Sequence, residues 1–179
     1  MKTKEITYCA VMVALIAGLG MIPPIAITII PVPISFQTMG IMLAGTLLGK
    51  KLGTISVIVF LLLVVAGLPL LAGGRGGFAV LVGPTAGYLI SWPFCAFLVG
   101  LVIDIFKQPV KFIGYLIANV IGGSILMNLV GIIVLSYQTN LPVKQALIAT
   151  LTFLPGDLIK AIIVALVAVR VSKLIKVSK

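Results

Sequence analysis

The sequence from Phe112 to Leu135 reads FIGYLIANVIGGSILMNLVGIIVL, an apolar stretch without a single charged side chain. As a helix it would be about 36 Å long, whereas the hydrocarbon core of a bilayer is roughly 30 Å thick. The stretch therefore predicts a helix that crosses a membrane.

The composition of the whole chain agrees with this interpretation. Of its 179 residues, 61% are hydrophobic and only 9% are charged, whereas charged residues make up about 25% of an ordinary soluble domain. Lys2 and Lys4 precede an apolar stretch, but no small-residue cleavage site follows it, so we expect no cleavable signal. We predict an all-α integral membrane protein with a single transmembrane domain, residues 1–179.

Basic residues flank this segment and divide the rest of the chain. Ten of the thirteen form four clusters: Lys2/Lys4, Lys50/Lys51, Lys107/Lys111 and Arg170/Lys173/Lys176/Lys179. If every cluster is cytoplasmic, an even number of crossings must separate neighbouring clusters. Two apolar segments lie in each interval, which predicts a bundle of six transmembrane helices with both termini in the cytoplasm. The segments are Ile6–Ile22, Gln37–Leu48, Leu52–Leu70, Pro84–Phe106, Phe112–Leu135 and Val143–Val169.

Two irregular stretches fall on the outer side by this count. Ile25–Phe36 contains Pro31 and Pro33, which discourage helix, and we expect it to fold over the outer mouth of the bundle. Gly67–Gly77 places four glycines around Arg75, so its backbone could approach a ligand closely. An ordinary connection would explain this second stretch equally well. Together the two stretches predict a ligand pocket near the outer face, covered by loops.

Asp157 and Lys160 are the most informative polar residues of the chain. They stand three apart, on one face of a helix, in a segment that otherwise resembles a membrane span. Each costs roughly 2.5–3.5 kcal/mol at the centre of an inserted helix, a cost usually tolerated where the groups pair or contact something polar. An internal ion pair that only fixes helix packing is the alternative. Otherwise the pair could hold a ligand with an N–H donor and an acceptor, with Arg75 clamping a carboxylate.

Further polar and aromatic residues are weaker candidates. Tyr88 and Trp92 share a helix face and could pack on a small apolar ring, or could belong to an interfacial aromatic belt. Asn119 and Asn128 could contact a ligand or hydrogen-bond between helices. Gln37 begins the short second segment and would face the mouth, unless it serves capping or loop structure.

The composition also excludes several functions. Histidine is absent, only three acids are present, and Cys9 and Cys95 show no metal-ligand spacing. We therefore expect no catalytic residues, no metal site, no resident cofactor and no enzymatic activity. The net charge of +10 is spread between apolar segments, so we expect contact with membrane lipid and no nucleic-acid partner.

Ala10 and Ala14 form a small-xxx-small pattern in the first segment. This spacing permits close approach of helices. It could serve packing inside the bundle or docking of a partner's helices.

Several motifs together resemble one known family. They are Pro31-Val32-Pro33-Ile34-Ser35-Phe36-Gln37-Thr38, the Ala10/Ala14 motif, Gly67-Leu68-Pro69 with Gly73-Gly74-Arg75-Gly76-Gly77, Gly83-Pro84-Thr85-Ala86-Gly87-Tyr88, and Leu154-Pro155-Gly156-Asp157-Leu158-Ile159-Lys160. Over nearly its whole length the chain resembles the BioY family, the biotin-specific substrate-binding (S) components of energy-coupling-factor (ECF) transporters.

The resemblance implies a six-helix bundle in a prokaryotic cell membrane that binds biotin for ATP-driven uptake. It also implies a transmembrane coupling protein and two cytoplasmic ATPase subunits as partners. By the same likeness, Asp157 and Lys160 belong to the ligand site, while Ala10 and Ala14 face the coupling protein. For Arg75, Tyr88, Gln37 and Asn119, the role in the pocket is our inference from the residues.

Two other functions remain open at the level of sequence. The chain could be a small ion- or proton-coupled secondary transporter of a carboxylate-bearing vitamin, with Asp157 as the coupling group, although no inverted repeat is visible. It could also be a structural membrane subunit without a ligand, in which Asp157 and Lys160 only pair.

Overall fold

The computed structural model describes residues 2–25, 32–107 and 109–171. These residues form helices, with no strand beyond two isolated bridging pairs. The α-helices are α1 (Thr3–Gly20), α2 (Gln37–Val65), α3 (Ala86–Ile105), α4 (Phe112–Ala118), α5 (Leu126–Thr139), α6 (Val143–Leu151) and α7 (Leu154–Val171). A 3₁₀ turn spans Phe78–Leu81, and a π-helical segment, Asn119–Ile125, joins α4 to α5.

Helix α2 reverses direction in its middle. Gly49 has φ 75° and ψ 179°, a backbone conformation that does not belong to a helix. Beyond Gly49 the chain folds back on itself, and the backbone of Gly53 consequently lies against the carbonyl oxygen of Ala44. The reversal separates the two segments predicted as Gln37–Leu48 and Leu52–Leu70. The second of them ends as a helix at Val65, five residues earlier than predicted.

The helical stretch that begins at Phe112 runs on to Thr139, four residues beyond the predicted end. Its central π-helical turns contain Gly122, Gly123 and Ser124, all buried. The two glycines bring this stretch close to its neighbours: Gly122 lies against Val99 of α3, and Gly123 lies against Met42 of α2. The stretch therefore packs one face tightly against α2 and α3, while Ile121 and Ile125 stay exposed on another face.

The prediction of one continuous helix over Val143–Val169 was wrong. The chain leaves the helix at Thr152 and Phe153, between α6 and α7. Pro155 explains the break, since it lacks the N–H that a continuous helix would need there, whereas the first turn of a new helix tolerates it. Asp157 consequently lies in the first turn of α7.

Two ends of the bundle differ in character. At one end, the side chain of Gln37 joins the carbonyl oxygen atoms of Ile16 and Leu70 to the backbone of Ala72. At the other end, the reversal of α2 lies against Gly100, and Lys50 pairs with Asp104 at 3.0 Å. The described basic residues of the four clusters belong to this second end: Lys2, Lys4, Lys50, Lys51, Lys107, Lys111 and Arg170.

Within the described ranges, four helical stretches are long and apolar enough to cross a membrane: Thr3–Gly20, Gln37–Val65, Ala86–Ile105 and Phe112–Thr139. Helix α7 has 18 residues but carries three charged side chains. The predicted basic cluster at Lys173, Lys176 and Lys179 lies outside the described residues, as do residues 26–31 of the predicted cover over the mouth.

Candidate ligand-binding site

A cavity opens between the N-terminal parts of α2, α3 and α7 and the middle of the α4–α5 stretch. The space between these elements, its opening to solvent included, amounts to about 600 Å³. Residues 32–35, just before α2, and residues 71–75, in the loop after it, complete the wall. Both irregular stretches of the sequence therefore contribute to one cavity.

The polar centre of this wall is the pair formed by Asp157 and Lys160. Nζ of Lys160 lies 3.2 Å from Oδ1 of Asp157, and both side chains are more than nine-tenths buried. Lys160 also donates a hydrogen bond to the hydroxyl of Thr38 at 2.9 Å. Buried charges of this kind are stable only when paired and hydrogen-bonded.

The other carboxylate oxygen of Asp157 accepts from two side chains of the α4–α5 stretch. The amide of Asn128 donates to it at 3.1 Å, and the hydroxyl of Ser124 donates at 3.4 Å. Ser124 and Asn128 stand four apart, so they share one face of the helical stretch. Through these bonds the ion pair connects α2, α5 and α7 at the cavity.

Gln37 lines the cavity, but its amide is engaged with the backbone. It donates to the carbonyl oxygen of Leu70 at 2.9 Å and to that of Ile16 at 3.4 Å. Its own oxygen accepts from the N–H of Ala72 at 2.9 Å. This geometry fits the loop-structuring alternative, because Gln37 fastens α1 and the loop that carries Arg75 to the start of α2.

Arg75 lines the cavity from a tight turn. The backbone N–H and carbonyl groups of Leu71 and Arg75 bond to each other, at 3.0 and 3.3 Å. Gly73 and Gly74, between them, have φ values of 79° and 68°, a conformation that glycine adopts without penalty. Nε of Arg75 donates to the carbonyl oxygen of Ala72 at 3.3 Å in a partly buried hydrogen bond, while the residue as a whole is exposed. The guanidinium therefore stands at the rim.

Tyr88 and Trp92 lie inside the protein, at 8% and 4% exposure, and both line the cavity. An interfacial belt would leave such side chains at the surface, so the belt interpretation was wrong for this pair. Phe153, in the break between α6 and α7, packs edge-on against Tyr88 with ring centroids 6.1 Å apart. Tyr88 also lies within 3.4 Å of the Thr150 hydroxyl.

Three predicted functional residues lie away from this cavity. Asn119 is fully buried, accepts from the hydroxyl of Thr46 at 3.0 Å and donates to the carbonyl oxygen of Tyr115 at 2.8 Å. These bonds fit the interhelical alternative. Ala10 and Ala14 are exposed on α1, one turn apart.

Sequence reasoning left Thr38 and Phe153 out of the site and treated Asn128 only as a weak candidate. Asn128 had a detectable signal, because Ser124 lies one helical turn before it in an apolar stretch. Thr38 had none, since its partner Lys160 is 122 positions away. In the described part of the chain, no group of three or more histidine, cysteine or acidic side chains is arranged to hold a metal ion.

Comparison with protein families gives a match over residues 1–177 to the BioY family. Two relatives match over almost the whole length of this chain. The protein named biotin transporter BioY from Lactococcus lactis subsp. cremoris (strain MG1363) is 48% identical over 96% of this chain and 92% of its own. The protein of the same name from Rhizobium etli (strain ATCC 51251 / DSM 11541 / JCM 21823 / NBRC 15573 / CFN 42) is 40% identical over 93% and 91%.

A solved structure is similar in fold as well as in sequence. It is the crystal structure of the S-component for biotin from an ECF-type ABC transporter. The two chains superpose with a TM-score of 0.91 at 46% identity, covering 97% of this chain and 95% of the other.

Proposed function

Because the chain belongs to the BioY family, we propose that it is the membrane subunit that captures biotin for ATP-driven uptake by an ECF transporter. The relatives named above are biotin transporters, and the similar structure is a biotin S-component. Because these names describe transport and no reaction, we propose no catalytic role for the chain. The chain is a multi-pass protein of the cell membrane.

The observation that carries the proposal is the buried pair of Asp157 and Lys160 in the wall of the cavity. Biotin offers ureido N–H donors, a ureido carbonyl, an apolar thioether ring and a carboxylate tail. Asp157 can accept from a ureido N–H, and Lys160 can donate to an acceptor on the ligand. Arg75, at the rim, suits the carboxylate.

Of the remaining side chains, some would contact biotin and others hold the contacting residues in position. Tyr88 belongs to the wall that would pack on the fused rings. Gln37 holds the loop bearing Arg75 in position, so its effect on biotin is indirect. Asn128 and Thr38 orient the charged pair by their hydrogen bonds to it. For Asn119 we propose a packing role alone, since its amide bonds Thr46 and Tyr115.

We further propose one domain with six crossings and both termini in the cytoplasm. The reversal at Gly49 divides α2 into two crossings, and α6 with α7 would form the sixth. The described basic residues of the four clusters share the end opposite the cavity, and such residues favour the cytoplasmic side. The cavity would then open outward.

A calorimetric titration of the detergent-purified protein with biotin tests the function. We expect saturable binding by the unaltered protein and none detectable for Asp157→Asn or Lys160→Met. Each single change leaves a buried partner without its counter-charge, which costs about 3–5 kcal/mol. The double variant Asp157→Asn/Lys160→Met removes both charges, so it should stay monodisperse and still fail to bind.

The pair of Lys50 and Asp104 offers a matched control. It has the same chemistry at 3.0 Å but is about one-third exposed at the other end of the bundle. Lys50→Met and Asp104→Asn should bind biotin like the unaltered protein. No binding by the unaltered protein would contradict the function, whereas full binding by all three cavity variants would contradict only the site.

A further inference from the structure

One side of the helical stretch from Phe112 to Thr139 is exposed at every fourth position. The exposed large side chains, each at least 39% exposed, are Ile113, Ile117, Ile121, Ile125, Leu129, Ile133 and Tyr137. An α-helix has 3.6 residues per turn, so positions four apart drift by about 40° around its axis. Over the whole row the drift would reach about 240°, and a straight α-helix would turn part of the row into the protein. The stretch therefore departs from a regular α-helix.

The buried side of the same stretch shows where the departure occurs. Buried residues come in neighbouring pairs, with Ser124 beside the third pair: 114/115, 118/119, 122/123, 127/128 and 131/132. Successive pairs are four positions apart, except for the step from 122/123 to 127/128, which is five positions. That step runs through the π-helical segment Asn119–Ile125, whose backbone bonds join residues five apart. The segment therefore holds one residue more than an α-helix with the same number of turns.

The extra residue decides the direction of Asn128. Asn119 and Asn128 are nine positions apart, which is about two and a half turns of an α-helix and would put them on opposite faces. One residue more in a turn takes back about 100° of this angle. Both amides consequently point into the protein, where Asn119 meets Thr46 and Asn128 meets Asp157. Ser124, four positions before Asn128, also donates to Asp157.

The flanks of the π-helical segment are held by their own contacts. At its beginning, Asn119 is bonded to Thr46 of α2. Beyond it, Gly131 of α5 lies against the ring of Tyr88 with no room for a β-carbon. Neither flank can rotate without losing these contacts. The number of residues between the flanks therefore sets the direction of the side chains that lie there.

We propose that the π-helical segment is a positioning element of the biotin site, whose one extra residue turns Ser124 and Asn128 toward Asp157. The inference rests on the proposed function. The segment touches the ligand site only through these two donors, since its own exposed side chains, Ile121 and Ile125, point away from the bundle. A shift of the extra residue along the stretch would leave the flanks packed and misdirect the donors.

Two single-residue deletions test this. Without Ile121 the segment can close as an ordinary α-helix, with the faces on both sides unchanged. Without Leu129 the segment closes in the same way and both flanks again keep their faces, but Ser124 and Asn128 turn by about 100°. Each deletion takes one exposed aliphatic side chain out of the same stretch. The two variants differ in the direction of the donors to Asp157.

Biotin titrations of both variants give the readout. We expect the dissociation constant to stay within about fivefold of the unaltered value without Ile121, and to rise at least about 100-fold without Leu129, because a buried carboxylate loses two donors. Thermal unfolding is measured alongside. A purely structural role would make the loss of affinity follow the loss of stability in both variants, which would contradict the inference.

A substitution in the shortened chain adds a control for direction. Without Leu129, position 127 takes the direction that Asn128 has in the unaltered protein. Met127→Asn should therefore recover at least about tenfold of the lost affinity there, and should not tighten binding in the full-length chain. No recovery in a monodisperse protein, or equal losses in the two deletion variants, would overturn the inference. Failure of the unaltered protein to bind biotin would instead overturn the function.

A second measurement needs no deletion. Spin labels placed singly at positions 116–134 of the protein in lipid bilayers report exposure to lipid through collisions with dissolved oxygen. Cys9 and Cys95 are buried, so the label goes to the introduced cysteine. We expect maxima of accessibility at positions 117, 121, 125, 129 and 133. A regular period of about 3.6 positions through the whole stretch would overturn the inference.

Discussion

Two asparagines nine positions apart in the α4–α5 stretch have different partners. Asn119 joins the hydroxyl of Thr46 in α2 to the backbone of its own helix, away from the cavity. Asn128 lines the cavity and donates to Asp157. Both are buried amides in apolar surroundings, so their chemistry is the same. Only the neighbours decide that one supports packing and the other supports the site.

This contrast gives a prediction at the level of single residues. Asn128→Ala removes a donor from the Asp157 carboxylate and should weaken biotin binding about tenfold. Asn119→Ala should leave the dissociation constant unchanged and lower the thermal midpoint by about 1–3 °C, because a polar contact between membrane helices is worth about 0.6 kcal/mol. Calorimetry and thermal unfolding of both variants check this. Weakened binding in Asn119→Ala alone would contradict it.

The sequence could predict only part of the site at this scale. That Asp157 and Lys160 share a face follows from their spacing of three, and the structure pairs them. That Thr38 bonds Lys160, or that the amide of Gln37 is taken up by three backbone groups, depends on residues 21 to 122 positions away. Such partners are set by tertiary packing, which local patterns do not record.

Among the elements, the reversal of α2 depends on one backbone conformation. At φ 75° and ψ 179°, Gly49 occupies a region that residues with a β-carbon essentially never adopt. Nothing lies within 4 Å of the place that a β-carbon would take. The requirement for glycine is therefore conformational and does not come from crowding.

Gly49→Ala should accordingly destabilise the protein by about 1–3 kcal/mol, which lowers the thermal midpoint by about 2–12 °C. Gly18→Ala is the matched control, since Gly18 also has free space around it but lies inside α1 with a helical backbone. It should be neutral or stabilising by up to about 1 kcal/mol. Thermal unfolding of both purified variants checks the pair. Equal midpoints would mean that the reversal tolerates a β-carbon.

Element boundaries were predicted well where the length of an apolar run decides them. The helices near residues 3–20, 86–105 and 112–139 follow from runs of apolar residues. Pro155 and Gly156 indicate a point where a helix loosens, and the break at Thr152 and Phe153 lies just before them, but their presence does not decide whether a helix bends or ends there. The π-helical turns at 119–125 had no local signal, because they arise where Gly122 and Gly123 meet neighbouring helices.

At the scale of the whole molecule, the basic clusters and the cavity lie at opposite ends of the bundle. The described basic clusters lie at the end of the α2 reversal, and the cavity lies at the other end, beside Gln37 and Thr85. Counting the basic clusters in the sequence anticipates this separation, because positive charge orients whole helices rather than single contacts. The same count placed both irregular stretches beside the predicted pocket, but it could not give the side chains that line the cavity, since these depend on contacts among both loops and α2, α3, α5 and α7.

We also propose that α1 docks on a transmembrane coupling protein, the partner that the resemblance to ECF S components implies. Ala10 and Ala14 lie exposed on α1, and none of the residues of α1 lines the cavity. A surface of small side chains allows another helix to approach closely. We expect Ala10→Trp/Ala14→Trp to keep the unaltered affinity for biotin but to block copurification with the coupling protein and the ATPases, and hence ATP-driven uptake.

Leu129→Trp/Ile133→Trp provides a control with the same spacing on α5, where both side chains are exposed. This variant should still assemble, because tryptophan replaces residues that are already large. If both double variants copurify with the partners as well as the unaltered chain does, α1 is not the docking surface. If both fail, added bulk rather than position is responsible. The docking proposal therefore requires that only the α1 variant lose its partners while its biotin titration stays unchanged.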